Sequence, residues 1–174
     1  MVLFVYALAD AKPIISGANF PNLTFNNILF KDEQAYLGIS QKENLSFKNI
    51  RGNLIIIEVF STYCLSCPKN IPILNKAYST IENDLKLKGK VKVIGIAVGN
   101  NRNEVKNYIK EYKVLYPILT DFNFTAHKAL GNPRVPFTIF VKKDTKGNST
   151  VVGTHQGMFE SEDLVMNKIA DIFH

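Results

Sequence analysis

The chain has no tryptophan and only two cysteines among its 174 residues. Two cysteines cannot staple a disulfide-rich scaffold, so a hydrophobic core must hold the fold, and a chain of this length can bury one. Long apolar runs are also missing. The N-terminal run Val2 to Ala9 has eight residues, against the ~18 that a membrane-spanning helix needs. Ten glycines and seven prolines are too few for a low-complexity or collagen-like chain. Charge of one sign does not dominate either, since 21 Lys and Arg against 15 Asp and Glu leave +6. The lysines are scattered, as at Lys86, Lys88, Lys90, Lys106, Lys110 and Lys142. A nucleic-acid partner is not expected, because it would call for a basic stripe with interleaved aromatics. What remains is the composition of one soluble globular domain, with 46% hydrophobic and 21% charged residues.

The N-terminus, MVLFVYALADAKP, places an apolar run before small residues. Ala7-Leu8-Ala9 and Ala9-Asp10-Ala11 fit the small-x-small pattern of a leader cleavage site, although no positive n-region precedes them. This reads as the tail of an export signal, with a first strand or helix as the bland alternative. Residues 1–34 are expected to be a leader remnant and an extension, and 35–174 the main domain. In the extension, Lys31-Asp32-Glu33 reads as a turn, and Ala35 to Ile39 and Leu45 to Ile50 as two short strands of a hairpin. Phe20, Phe25 and Phe30 recur every five residues and should pin it to the core.

From Leu54 the pattern sharpens. LIIIEVF, Leu54 to Phe60, is the apolar, β-branched run of a strand buried on both faces, interrupted only by Glu58. Helical spacing follows from Cys67 to about Leu87, through Ile71, Leu74, Ala77, Ile81 and Leu85. VKVIGIAV, Val91 to Val98, is a second central strand, and a helix over Asn103 to Tyr112 comes next. A short strand at Pro117 to Leu119 and a short helix at Phe124 to Leu130 lead to a strand at Pro136 to Val141. A charged turn joins that strand to another at Ser149 to His155, and an amphipathic helix over Ser161 to Phe173 closes the chain. Crossover connections require parallel strands and the late hairpin an antiparallel one. The fold class is therefore α/β, a central mixed sheet with helices on both faces.

Both cysteines fall in one motif, Cys64-Leu65-Ser66-Cys67, between a buried strand and a helix. A helix N-terminus carries partial positive charge and free N–H groups, which stabilise a thiolate. Cys64, at the mouth of the helix, gains most. Cys67, one turn on, is in position to attack a mixed disulfide at Cys64 and release the substrate. Two thiols suffice for such exchange, so no cofactor is expected beyond the pair itself. The bland readings are a structural disulfide, a zinc site or two core cysteines. So short a loop constrains the unfolded chain little. Closed zinc sites need four ligands, and His127, His155 and His174 have no paired spacing.

STYCLSCPKNIP after LIIIEVF, with Val135-Pro136 further on, resembles the thioredoxin superfamily. It is most similar to the extracytoplasmic thiol-disulfide oxidoreductases of the TlpA/ResA cytochrome-maturation kind, which overlap the redoxin (AhpC/TSA) grouping. The resemblance covers roughly residues 35–173. It implies a thioredoxin-like fold with a central α/β insertion from about Asn101 to Gly131. It also implies Cys64 as the attacking and Cys67 as the resolving cysteine, Pro72 as a helix-kinking proline, and Pro136 as a cis proline facing the disulfide. The backbone of Val135 would then pair with an extended substrate. Tyr63 stands where the family usually has tryptophan, and keeps an aromatic shield. Glu58, six residues before Cys64, matches the buried acid beneath the cysteines. Desolvation should raise its pKa, so that it takes the Cys67 proton near neutral pH. Asn70 replaces an acid found in some cytochrome-maturation members, and Pro68 after Cys67 is unusual. The expected protein is a monomer outside the cytoplasm. It would exchange disulfides with protein partners as a reductant, fed by an electron donor that a membrane could carry.

Two other functions compete. A peroxiredoxin-type thiol peroxidase would use Ser61 and an arginine such as Arg134, but Ile57 stands where its loop needs proline. A non-enzymatic copper-delivery protein would use two thiolates and an imidazole. Its cysteines are spaced CxxxC, whereas these are CxxC.

Overall fold

The computed structural model describes residues 12–26, 30–40 and 44–173. The run Val2 to Ala9 and the small-x-small sites up to Ala11 lie outside these residues. Five strands form the central sheet: β3 (Leu54–Phe60), β4 (Val91–Val98), β5 (Ile118–Asp121), β6 (Phe137–Lys143) and β7 (Ser149–Gln156), in the order β5-β4-β3-β6-β7. β3 runs parallel to β4, and β4 to β5, while β3 pairs antiparallel with β6, and β6 with β7. This is the mixed sheet the connections require. β3 and β4 are buried along their whole length, because layers cover both faces.

Side chains alternate across each strand, so β3 feeds two cores. Leu54, Ile56 and Phe60 meet α2 (Ile71–Asn83), α3 (Arg102–Tyr112) and α5 (Glu162–Phe173) on one face. Ile55, Ile57 and Val59 meet α4 (Thr125–Ala129) and the N-terminal extension on the other. Between β4 and β6 lie α3, β5 and α4, in the place of the expected insertion. No helix among the described residues is long and apolar enough to cross a membrane.

The extension differs from the sequence reading. Its antiparallel pair joins β1 (Thr24–Phe25) to β2 (Leu45–Ser46), and the segment between them carries α1 (Lys31–Leu37). Residues 31–37 are thus helix rather than turn and strand. Glu33 accepts the N–H of Phe30 at 2.8 Å, which closes the first turn. Gly38, at φ 65°, closes the last, with Ile39 N–H donating to the Gln34 carbonyl. Phe20 and Phe25 are buried as anchors, but Phe30 is 76% exposed. α1 also finishes the sheet. β5 pairs only with Gly95 to Val98 of β4, leaving the lower edge of β4 open. The Tyr36 hydroxyl fills that gap, accepting from Val93 N–H at 2.7 Å and facing the Val93 carbonyl at 3.5 Å.

α2 is shorter than its apolar spacing predicts. Asp84 leaves the helix in an extended conformation and its carboxylate accepts from Lys86 N–H, so the chain turns and Leu85 is exposed. At its other end, Cys67–Asn70 form a 3-10 turn. Pro72 cannot donate to the Pro68 carbonyl four residues back, so Ile71 N–H donates there instead. Pro72 therefore opens the α-helix at its second position rather than kinking its middle.

Replacing Tyr36 with Phe strips the partner from a backbone N–H at a partly buried edge. Urea unfolding should show a loss of about 1–3 kcal/mol. An unchanged midpoint would mean that the hydroxyl does not close the edge.

Candidate active site

β3 ends at Phe60, and the chain turns through Ser61–Cys64, with Cys64 N–H donating to the Ser61 carbonyl at 3.0 Å. Asn100, wholly buried at the end of β4, holds this turn. Its side-chain oxygen accepts from Thr62 N–H at 2.9 Å and from the Ser61 hydroxyl at 3.3 Å. Cys64 and Cys67 form a disulfide. Cys67 is fully buried, Cys64 half-buried, and Leu65 between them 94% exposed. The Cys67 N–H points at Cys64 Sγ at 3.2 Å, and the Ser66 hydroxyl lies 3.4 Å from it. Donors so placed favour negative charge on that sulfur when the disulfide opens.

Beneath the disulfide lies a closed polar knot. Glu58 projects to the same face as Leu54, Ile56 and Phe60 and is 2% exposed. Among the described residues no lysine pairs with it. Asn70 donates to Oε1 at 3.0 Å and the Tyr116 hydroxyl to Oε2 at 2.7 Å. Asn70 is itself fully buried and accepts from Phe159 N–H at 3.0 Å, which ties the cysteine turn to the start of α5. Desolvation pushes the Glu58 carboxyl up to about 7, and the two hydrogen bonds only partly offset it. Gly95 stands opposite Glu58 on β4. A Cβ there would meet Phe60 at 3.0 Å and Ile118 at 3.2 Å, so its absence lets these two side chains pack against the strand.

On the open side, the Val135–Pro136 peptide is cis. The Val135 carbonyl lies 3.9 Å from Cys64 Sγ. Gln156 donates to the Arg134 carbonyl at 2.7 Å and to the Pro136 carbonyl at 3.1 Å, fixing the strand on both sides of Val135. Tyr63 is 69% exposed and its hydroxyl donates to Glu104. Glu104 also accepts from Asn101 N–H at 2.7 Å, so the cap of α3 positions the ring. Tyr63 and Val135 flank a groove of about 520 Å³, lined also by Phe124 and His127.

The structure thus brings Cys64, Cys67, Glu58, Val135, Pro136 and Tyr63 to one end of the sheet. Sequence reasoning missed Asn70, Tyr116, Asn100 and Gln156 as partners. Asn70 was visible only as a missing acid, and Tyr116 reads as a loop anchor. Of the residues of the rival functions, Ser61, Arg134 and His127 line the same groove as Tyr63 and Val135. Ile57 is in mid-strand, and the Ser61 hydroxyl is engaged by Asn100. His127 Nε2 faces the Pro133 carbonyl and His155 Nε2 the Met158 carbonyl. Among the described residues no group of three or more His, Cys, Asp and Glu could hold a metal ion.

Comparison with known proteins agrees with this geometry. Thiol-disulfide oxidoreductase ResA of Bacillus cereus is 25% identical over 148 residues, covering 83% of this chain and 74% of ResA. The thioredoxin domain of a thiol-disulfide oxidoreductase from Bacteroides vulgatus superposes with a TM-score of 0.66 at 16% identity, over 90% of this chain and 99% of that one. StoA from Bacillus subtilis gives 0.55 at 23% identity, over 70% and 86%. The AhpC/TSA family model matches residues 17–149. On that match the chain belongs to the AhpC/TSA family, and its fold and Cys64–Cys67 pair make it a thioredoxin-like thiol-disulfide oxidoreductase of the TlpA/ResA type.

Proposed function

We propose that the chain reduces disulfides of protein partners in the cell envelope, with Cys64 as the attacking and Cys67 as the resolving cysteine. The observation that carries this reading is the asymmetry of the pair. Cys67 is sealed in the core on the side of Glu58, while Cys64 reaches the surface under two donors. The Cys64 thiolate attacks one sulfur of the substrate disulfide, and the other leaves as a thiolate. Glu58 takes the proton of Cys67. The Cys67 thiolate then attacks Cys64 Sγ and expels the second substrate sulfur. Two electrons have passed to the substrate, and the pair is left oxidised, the state in which it stands here.

The substrate lies extended along Val135, whose half-buried position between Cys64 and Pro136 suits backbone pairing, with the Tyr63 ring at its side. Tyr63 and Val135 are substrate-binding residues in this reading, and the cis Pro136 presents the strand. A dithiol donor, carried by a membrane, restores the reduced pair. The protein works as a monomer and needs no cofactor beyond its two thiols. Within the extension, 1–34, Phe20, Leu23 and Phe25 serve to cover one sheet face of the domain, 35–174. An envelope location is supported by the apolar run Val2 to Ala9 and the small-x-small sites that follow it.

Cys67→Ser should accumulate mixed disulfides through Cys64, seen as adducts by mass spectrometry, and Cys64→Ser should form none. Adducts on Cys67 instead would reverse the roles. Reductant direction requires a reduction potential near that of thioredoxin, about −270 mV, rather than the about −120 mV of a strong oxidant.

Glu58→Gln tests the base. Its carboxyl titrates at about 7 in the fold, against ~4.3 in an unfolded chain. The fold therefore binds this proton more tightly than the unfolded chain does. The wild type keeps that advantage below pH ~4 and loses it as pH rises through ~7. Glu58→Gln should leave stability unchanged at about pH 4 and raise it by up to about 3 kcal/mol at about pH 8.5. The same variant should slow exchange by about 10- to 100-fold and remove the inflection near neutral pH. A variant as active as the parent, with the same pH profile, would remove Glu58 from the mechanism.

A further inference from the structure

Backbone pairing at Val135 does not account for Phe124, which lines the same groove beside Cys64. Phe124 precedes α4, and its backbone is left-handed, at φ 59°. That region suits glycine and is an outlier for a bulky side chain. Among the described residues three non-glycine residues have positive φ, and two of them, Phe124 and Asn132, line this groove. Asparagine tolerates the conformation, whereas for an aromatic residue it is strained. Such strain persists only where the surroundings over-determine it, and it clusters at binding and active sites.

The surroundings do fix it. The Asp121 carbonyl accepts from Phe124 N–H at 3.1 Å and from Gly99 N–H at 2.9 Å. The buried Asp121 carboxylate accepts from Ala126 N–H at 3.0 Å and His127 N–H at 2.8 Å. Gly99 makes room for the ring, since a Cβ there would lie 2.5 Å from it. Yet the ring is 45% exposed, so core packing does not repay the strain. The fold holds an aromatic side chain open beside the reactive sulfur.

The other walls are set as firmly. The Tyr63 hydroxyl donates to Glu104, which also accepts from Asn101 N–H at 2.7 Å. His127 Nε2 lies 3.0 Å from the Pro133 carbonyl, which can only accept, so the ring donates and holds the chain entering Val135. A pre-formed groove binds with little ordering cost. The Val135 carbonyl lies 3.9 Å from Cys64 Sγ, and an extended chain advances about 3.3 Å per residue. A substrate sulfur at Cys64 therefore brings residues one or two positions away to the groove. Arg134 also lines it, and no carboxylate among the described residues pairs with Arg134, so a cation there is repelled.

We infer that this groove is a side-chain pocket that selects protein disulfides flanked by a bulky apolar residue, aromatic above all. Phe124 is its specificity-determining residue. The inference rests on Cys64 being the attacking cysteine. The substrate side chain lies against the Phe124 and Tyr63 rings, where aromatic pairing adds to the area it buries.

The test mixes the full-length reduced chain with disulfide-linked peptide dimers. Their variable residue, Phe, Ala or Lys, stands one or two positions from the cysteine, and the readout is the second-order rate constant of reduction. Phe peptides should react about tenfold faster than Ala peptides, with Lys peptides slowest. Phe124→Ala should bring the Phe-to-Ala ratio close to one, whereas a merely structural role would lower all rates together and keep the ratio. Phe124→Gly, which relaxes the left-handed backbone, should do the same and decides the matter should Phe124→Ala fail to fold. Equal rates for Phe and Ala peptides at every position, or Phe124 variants that keep the parent ratio, overturn the pocket and leave the exchange reading standing. If no peptide is reduced, or Cys64→Ser reduces them as fast as the parent, the exchange reading fails and the pocket falls with it. A dimer in sedimentation that Phe124→Ala dissociates, with no preference among peptides, would give the groove to a second copy of the chain instead.

Discussion

Everything at the reactive end of this molecule depends on a carboxyl that has been taken out of water. Glu58 stands in β3, a strand buried along its whole length. A free carboxylate there would be too costly to keep. Two neutral donors, the Asn70 amide and the Tyr116 hydroxyl, make it tolerable without cancelling the cost. The outcome is a group that titrates at about 7, where it can both hold and release a proton. A cation in place of either donor would have pinned it ionised.

That requirement explains features that look unrelated. Gly95, opposite Glu58, leaves room for the Phe60 and Ile118 side chains that help to seal it. Asn70 must be buried at the end of the cysteine turn, and it also receives the Phe159 N–H that anchors α5. The two prolines, Pro68 and Pro72, convert the first turn to 3-10 geometry and bring Asn70 into its place. Loop, sheet and closing helix are joined through one carboxyl.

The surface above it is built differently. Cys64 is reached through backbone and turn geometry: Asn100 clamps Ser61 and Thr62, Gln156 fixes the flanks of Val135, and Glu104 steers Tyr63. Sulfur chemistry needs one thiol accessible and the other protected. Burial of Cys67 and exposure of Leu65 follow from the tight turn between them.

The sequence alone settles the strand runs, the CxxC at a strand-to-helix junction and the mixed sheet, because these rest on local periodicity and on connection rules. It also singles out Glu58, since a charge inside LIIIEVF is conspicuous. Tertiary structure decides the rest. α1 in place of a strand depends on caps at Phe30 and Gly38 that the apolar pattern hides. The end of α2 at Asn83 depends on the Asp84 carboxylate. Asn70 and Tyr116 lie 12 and 58 residues from Glu58 in the chain. No local pattern marks two residues that distant as partners, because only the packing of the sheet against the cysteine turn brings their donors to one carboxyl.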